Sequence, residues 1–339
     1  MVLQNSKNLS CKLEGSVIKK NSLILIGVSL WAFSLLSFAQ SVYPSKAVRL
    51  IVPVAPGGAT DFTARLFGQK LGESLGQSVI VDNRPGAAGN IGVEIAAKAA
   101  PDGYTLVMPI TSFSINPSIY SKLPFDTVKD FAGVILATSA PLLLVVSPKV
   151  PAKTVNDLVK LAKSKPKELS FANSGHGTTA HLAGELFKKS ANVDMVSVPY
   201  KGGGPAVIDL VAGRVEIYFP TLPPVSSHIA SGRLRVLAVS TKTRFAQLPD
   251  IPTISESGLP GFDISAWFGI FAPAKTPRSI INQLNKEFTS ILTNQEIKQQ
   301  LSSQGLNPGG GTPEALDKFL QNEIYRWGKL IREIGLKPE

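Results

Sequence analysis

The sequence is poor in cysteine, with a single one, Cys11, among 339 residues. One cysteine cannot pair within the chain, so a scaffold held by internal disulfides is excluded. A cysteine-rich zinc site is excluded for the same reason. Charged residues are also few, at 17%, against 44% hydrophobic ones. Because disordered chains combine low hydrophobicity with high charge, these proportions predict a folded protein, long enough for two domains of roughly 100–200 residues each.

Long hydrophobic runs are absent except for one near the N-terminus, between Ser22 and Ala39. Lys19 and Lys20 precede this run, and small residues, Ser37 and Ala39, stand at its end. A basic start, an apolar centre and a small-residue exit are the three parts of a secretory signal peptide. A membrane anchor, the alternative, needs about 20 apolar residues. We expect cleavage after Ala39, which removes the chain's cysteine.

The net charge is +11, from 35 lysines and arginines against 24 acidic residues. The basic residues form no continuous stripe, and the densest group, between Lys163 and Lys167, lies in loop-like sequence. No aromatic residues interleave with it to stack on bases. We therefore expect no nucleic-acid partner, and a positive surface that attracts anionic solutes.

Short apolar strands alternate with helical patterns along the chain, beginning with a strand at Val48–Val52 and a helix from Asp61 to Leu75. This alternation predicts an α/β fold with parallel sheets and right-handed crossovers. Three further helices have N-terminal signals, either a capping box or a threonine before proline. These signals are Thr154 with Asp157, Thr276-Pro277 and Thr312-Pro313.

Three segments share one order of features: a strand, a loop of small residues and the start of a helix. They are residues 53–61, 171–179 and 198–205. Helix N-termini expose unpaired N–H groups and the positive end of the helix dipole, while glycine lets a ligand approach the backbone. Such loops suit a carboxylate or a phosphate. Each alone is also an ordinary turn, but three together predict a ligand site in a crevice at the carboxyl ends of the strands.

Signals for catalysis are weak, since the chain has no G-x-x-x-x-G-K-[ST], H-E-x-x-H or G-x-S-x-G motif. His176 and His181 lie five residues apart, a spacing that places them on different sides of a helix, and His228 stands alone. The loop between Gly86 and Gly92 lacks the G-x-G opening of a dinucleotide site. We expect no metal, no cofactor and no enzymatic activity. The alternative is an exported enzyme that uses His176 or Asp61.

In this order and after an export signal, the loops resemble the Bug family of solute receptors, the extracytoplasmic binding proteins of tripartite tricarboxylate transporters. The similarity covers residues 43–339. The matching segments are Tyr43-Pro44, 53–61 with Ala64-Arg65, 83–89, 101–106, 175–178 with 181–185, 199–202, 232–235 and Pro252-Thr253.

The resemblance implies a type II periplasmic-binding-protein fold, in which two α/β lobes surround a ligand cleft. The chain would cross between the lobes twice, at 142–148 and 264–273. After a signal peptide at 1–39, domain 1 would comprise 40–143 and 265–339, and domain 2 would comprise 144–264. The implied function is that of a monomeric periplasmic receptor that captures a small carboxylate and delivers it to a membrane permease. A solute sensor that signals to a membrane partner is the alternative.

The resemblance also implies which groups hold the ligand, chiefly backbone and hydroxyl groups of the first two loops: Pro56, Gly57, Gly58, Thr60, Ser174, Gly175, Gly177 and Thr178. From the pattern of three loops we also expect Asp61, Tyr200, Lys201 and Gly202 in the site. One departure matters: many relatives carry aspartate after the residue that matches Phe219, and here that position is Pro220. Without this carboxylate an amino group lacks a partner, so we expect an organic acid without an amine.

Overall fold

The computed structural model describes residues 43–336, and these contain two β-sheets with helices packed against them. The signal peptide predicted at 1–39 lies outside the described residues. Within residues 43–336 no helix is both long enough and apolar enough to cross a membrane.

The first sheet has six strands in the order β11-β4-β10-β3-β1-β2. Its strands are β1 (Val48–Val52), β2 (Val79–Asn83), β3 (Thr105–Val107), β4 (Phe131–Pro141), β10 (Ser265–Pro273) and β11 (Asn307–Gly310). The helices on this side are α1 (Ala59–Leu75), α2 (Asn90–Ala97), α3 (Ser112–Ile119), α8 (Arg278–Thr293), α9 (Gln295–Ser303) and α10 (Pro313–Ile334).

The second sheet has five strands in the order β7-β6-β8-β5-β9. Its strands are β5 (Leu143–Val146), β6 (Ser170–Asn173), β7 (Val196–Pro199), β8 (Ile217–Tyr218) and β9 (Arg235–Val239). The helices on this side are α4 (Val155–Ser164), α5 (Thr179–Ala191), α6 (Gly203–Ala212) and α7 (Ser226–Ala230).

The chain passes between the sheets at two places. Only Leu142 separates the end of β4 in the first sheet from the start of β5 in the second. The return follows β9 and reaches β10, which pairs antiparallel with β3 and β4. The expectation of parallel sheets is confirmed for β1 with β2 and β3 and for β6 with β7 and β8. It is wrong for β10, which runs against its neighbours because it comes back from the other sheet, and for β5, which pairs antiparallel with β8 and β9.

A buried carboxylate organises the aromatic core beneath the first sheet. Glu323 Oε2 accepts hydrogen bonds from Trp267 Nε1 at 3.1 Å and from Trp327 Nε1 at 2.9 Å. Arg326 Nη1 lies 3.1 Å from the other Glu323 oxygen and balances its charge. The two indoles thus keep their N–H groups satisfied, as buried tryptophans require. This arrangement fixes α10 against β10.

The helix-start signals have mixed outcomes. The capping box of Thr154 and Asp157 is confirmed, and Thr312 caps α10 with its hydroxyl accepting from Ala315 N–H. The cap predicted at Thr276 is wrong, because α8 begins one residue later with Pro277 at the N-cap and without a side-chain cap. The Thr276 hydroxyl is buried, with no hydrogen-bond partner in the described part of the chain.

Candidate ligand site

The first loop, which joins β1 to α1, is held by Asp61. This residue is 5% exposed, and its carboxylate accepts from Gly57 N–H at 3.0 Å, Asn83 Nδ2 at 3.0 Å and Arg65 Nε at 3.1 Å. Burial alone would raise the pKa of Asp61, but the hydrogen bonds from Arg65, Gly57 and Asn83 outweigh it and hold the pKa below its ordinary value. Asp61 therefore stays ionised and shapes the loop.

The backbone of the first loop is available at the start of α1. Gly58 is the N-cap and supplies no side-chain acceptor to the first turn. Pro56 and Gly57 are exposed, whereas Thr60 is buried. Gly57 has φ +92°, a conformation that glycine adopts without strain. The loop thus exposes backbone groups, while the Asp61 carboxylate already accepts hydrogen bonds from Gly57, Asn83 and Arg65.

The second loop, which joins β6 to α5, is tied down by its own polar side chains. Asn173 Oδ1 accepts from Gly175 N–H at 2.9 Å. The Thr178 hydroxyl donates to the Gly175 carbonyl at 2.7 Å and accepts from His181 N–H, which makes it the cap of α5. Ser174 Oγ lies 3.2 Å from the Tyr218 hydroxyl. The Thr178 hydroxyl proton is therefore committed to the loop itself, and the Ser174–Tyr218 pair keeps one O–H proton for another acceptor.

The two histidines of this loop lie together, contrary to expectation. Their ring centroids are 4.5 Å apart, because His176 precedes the helix and only His181 belongs to it. His181 Nδ1 accepts from Gly177 N–H at 3.3 Å. Burial, with help from the charges of His176 and Lys188, lowers the pKa of His181 to about 4. Within residues 43–336 no group of three or more metal-ligating side chains is present.

The third loop contributes backbone more than side chains. Tyr200 directs its hydroxyl away to Asp209 Oδ2, at 3.0 Å, and Lys201 is exposed. Gly202 is the N-cap of α6, with φ +111°. A Cβ built on Gly203 would lie 3.1 Å from the Tyr218 hydroxyl, so this hydroxyl stands between the second and third loops.

The loops of the two sheets meet. A Cβ built on Gly202 would lie 3.7 Å from Ala55 Cβ in the first loop. A Cβ on Gly177 would lie 3.0 Å from Asn116 Oδ1, on α3. Asn116 is 1% exposed, and its Oδ1 has no hydrogen-bond partner in the described part of the chain. The structure therefore brings the three predicted loops close together, with two residues beside them that the sequence did not indicate, Asn116 and Tyr218.

A cavity of about 460 Å³ opens beside the first loop. All but one of its lining residues lie on the side of the first sheet, and the exception, Pro223, lies between β8 and β9 of the second. The lining residues are Gly57, Gly58, Asp61, Phe62, Arg65, Leu66, Gln69, Pro223, Gln300 and Gln304. Three of the predicted site residues, Gly57, Gly58 and Asp61, belong to its wall.

A comparison with protein families shows which family this chain belongs to. The model of the tripartite tricarboxylate transporter family receptor matches residues 63–336. The chain belongs to this family. Among its members, protein BugT of Bordetella pertussis is 38% identical over 301 residues, which cover 88% of this chain and 92% of BugT. The resemblance to the Bug family is thus confirmed.

Solved structures of this receptor family have the same fold. A Rhodopseudomonas palustris protein solved with adipate is 37% identical, with a TM-score of 0.86 over 88% of this chain and 100% of that one. MatC from the same species, solved with bound malate, is 31% identical, with a TM-score of 0.81 over 85% of this chain and 100% of MatC. The predicted type II periplasmic-binding-protein fold of two α/β lobes is confirmed.

Proposed function

We propose that this receptor binds a small carboxylate without an amino group in the periplasm and delivers it, as a monomer, to the permease of a tripartite tricarboxylate transporter. One observation carries the proposal: three loops that each lead into a helix N-terminus converge at the meeting point of the two sheets. The adipate and malate held by the two Rhodopseudomonas proteins support a carboxylate as the ligand class.

The physical basis is the sum of three modest interactions. The N-termini of α1, α5 and α6 follow the three loops, and each favours an anion by about 0.3–1 kcal/mol when exposed and up to about 2 kcal/mol when partly buried. The Ser174 and Tyr218 hydroxyls bond to each other, and the pair keeps one O–H proton to donate to a ligand. Together these groups supply useful affinity without an ion pair.

The same geometry supports a binding role for Asp61 and the loops over a catalytic one. Three donors already occupy the Asp61 carboxylate, which leaves it poorly placed to take a proton from a substrate. Pro220 is buried, and its carbonyl accepts from Leu143 N–H, so this position offers no carboxylate to an amine.

The division into lobes is part of the proposal. Strands from 48–141 and 265–310 build the first sheet, and strands from 143–239 build the second. This membership supports domain 1 as residues 40–143 and 265–339 and domain 2 as residues 144–264. Ligand binding would favour the closed arrangement of the lobes through a population shift.

The decisive binding experiment is calorimetry of the secreted mature protein against malate, succinate, hexanoate, adipate, aspartate and glutamate. We expect micromolar or tighter binding of at least one non-amino acid and a loss of at least tenfold with Ser174→Ala. Ser231→Ala, which changes a serine at the end of α7, is the matched control and should bind as the parent does. Absence of binding across the panel, or tighter binding of aspartate or glutamate, would contradict the proposal.

Delivery to a permease needs its own measurement. Cells that carry the receptor and its membrane permease should accumulate the labelled ligand, and cells that lack either component should not. A receptor that binds its ligand but changes transcription without any uptake would instead be a sensor.

A further inference from the structure

We propose that the ligand is a monocarboxylate with an extended, uncharged body, and that this body lies in a groove along α1. The inference rests on the proposed function, because the first loop is taken to hold the carboxylate. It goes further in assigning the rest of the ligand to the cavity of about 460 Å³ that begins at this loop.

One wall of the groove is a single face of α1. Its residues follow Gly58 at helical spacing: Asp61 with Phe62, Arg65 with Leu66, and Gln69. At 1.5 Å per residue the wall runs for about 16 Å from the loop. Phe62 and Leu66 are half-buried, so apolar surface remains open to the groove.

The opposite wall comes from the end of α9, with Gln300 and Gln304, and from Pro223, which lies between β8 and β9 of the second sheet. This wall is fixed by contacts between the two lobes. Gln247 Nε2 donates to the Ser302 carbonyl at 3.0 Å. The groove is therefore bounded mainly by α1 and the end of α9, on the side of the first sheet, with Pro223 as the contribution from the side of the second sheet.

The charges of the groove argue against a second carboxylate. Among the lining residues only Asp61 and Arg65 are ionisable, and they pair with each other at 3.0 Å. Lys70, just beyond, pairs with Glu73 at 2.9 Å. A second carboxylate, at the far end of the groove, would lose water without gaining a cation that is not already paired. The remaining lining groups are apolar side chains and glutamine amides, which suit a neutral chain or ring.

The volume of the cavity, about 460 Å³, lies within the range of about 300–1,000 Å³ that small-molecule pockets occupy. An apolar body would remove water from the exposed parts of Phe62 and Leu66, which is favourable. An acid too short to extend beyond the loop would leave that water in place.

Calorimetry with matched acids tests the inference. Hexanoate and adipate have the same carbon count and differ in the second carboxylate, while propionate reaches only the loop. We expect hexanoate to bind at least tenfold more tightly than adipate and propionate. Adipate that equals or exceeds hexanoate would overturn the inference, and failure of every carboxylate to bind would overturn the proposed function instead.

A variant that fills the groove provides a second test of the inference. Leu66→Trp should weaken hexanoate at least tenfold and leave propionate within twofold. Ile80→Trp adds the same ring at an exposed position on β2 outside the groove and should leave both acids within twofold. Equal weakening of both acids by Leu66→Trp, or no weakening of either, would overturn the inference.

Discussion

Ser240 and Ile264 are joined by two hydrogen bonds: the Ser240 hydroxyl donates to the Ile264 carbonyl at 2.5 Å, and Ile264 N–H donates to the Ser240 carbonyl at 2.9 Å. Ser240 also forms two hydrogen bonds with Leu142. The Ser240 hydroxyl accepts from Leu142 N–H at 2.9 Å, and Ser240 N–H donates to the Leu142 carbonyl at 2.9 Å. Leu142 and Ile264 lie on the two passages between the sheets. One fully buried serine therefore holds both passages together.

Ser240→Ala should lower the free energy of unfolding by about 2–4 kcal/mol. The substitution leaves the Leu142 N–H and one lone pair of the Ile264 carbonyl without this partner, and each buried unsatisfied group costs about 1–3 kcal/mol. Urea unfolding followed by circular dichroism measures the change. The exposed Ser231→Ala should stay within about 0.5 kcal/mol of the parent. A comparable value for Ser240→Ala would show that the hydroxyl does not hold the passages.

Gly177→Ala should weaken ligand binding at least tenfold, because a Cβ there would lie 3.0 Å from Asn116 Oδ1 when the lobes are together. Gly76→Ala is the matched control: Gly76 has φ +65°, close to the +75° of Gly177, with nothing within 4 Å of its Cβ position. Both variants should lose about 1–2 kcal/mol of stability from the left-handed backbone. Calorimetry and urea unfolding on both separate the two effects, and equal ligand affinities would contradict the expected clash.

The sequence predicts the parts of this site that depend on local order. Periodicity places β1 and α1 nearly as observed, and the glycine-rich loops after strands mark the convergence, because parallel strands end at one edge of a sheet. Tyr218 could have been found by the same rule, since it ends β8 beside β6. Asn116 could not, because its position depends on how α3 meets a loop more than fifty residues away.

The missed elements have physical reasons of their own. The helix α3 contains Pro117 and is buried on most sides, so it shows little amphipathic pattern. The strand β4 is buried along nearly all of its length, so it does not alternate between apolar and polar residues. The antiparallel return of β10 follows from the path of the chain between lobes, which no local pattern encodes.

Asp61→Asn should lower the free energy of unfolding by about 2–4 kcal/mol and weaken ligand binding with it. The neutral amide loses the charge-assisted bond with Arg65, and its NH₂ group turns a donor toward Gly57 N–H or Asn83 Nδ2, which are donors themselves. A hydrogen bond to a charged group is worth about 1.5–3 kcal/mol. Urea unfolding and calorimetry measure the two losses. Glu73→Gln, at an exposed ion pair on the same helix, should change stability by less than about 1 kcal/mol. A stable Asp61→Asn protein with full affinity would refute this role.

Stability should fall as the pH drops from about 6.5 to about 4 because of His181. The pKa of His181 is about 4 in the folded protein, lowered by burial and by His176 and Lys188, against about 6.5 in the unfolded chain. Between these values the unfolded state binds the proton and the folded state does not, so stability rises with pH. Each unit of difference between the folded and unfolded pKa of His181 lowers the free energy of unfolding by 1.36 kcal/mol, so the total loss is at most about 3 kcal/mol. It is complete near pH 4, where protonation would also break the bond from Gly177 N–H.

Urea unfolding at pH 7.5, 6.5, 5.5 and 4.5 measures this slope. His181→Gln keeps an acceptor for Gly177 N–H but cannot titrate, so its stability should change much less across the window. His228→Gln, on α7, should keep the full slope of the parent. Asp61 does not obscure the result: its folded pKa is lowered, so its contribution is present above the unfolded value of about 3.9 and disappears only at more acidic pH. A slope that survives in His181→Gln would place the titrating group elsewhere, since only a side chain that remains in the variant could still bind the proton.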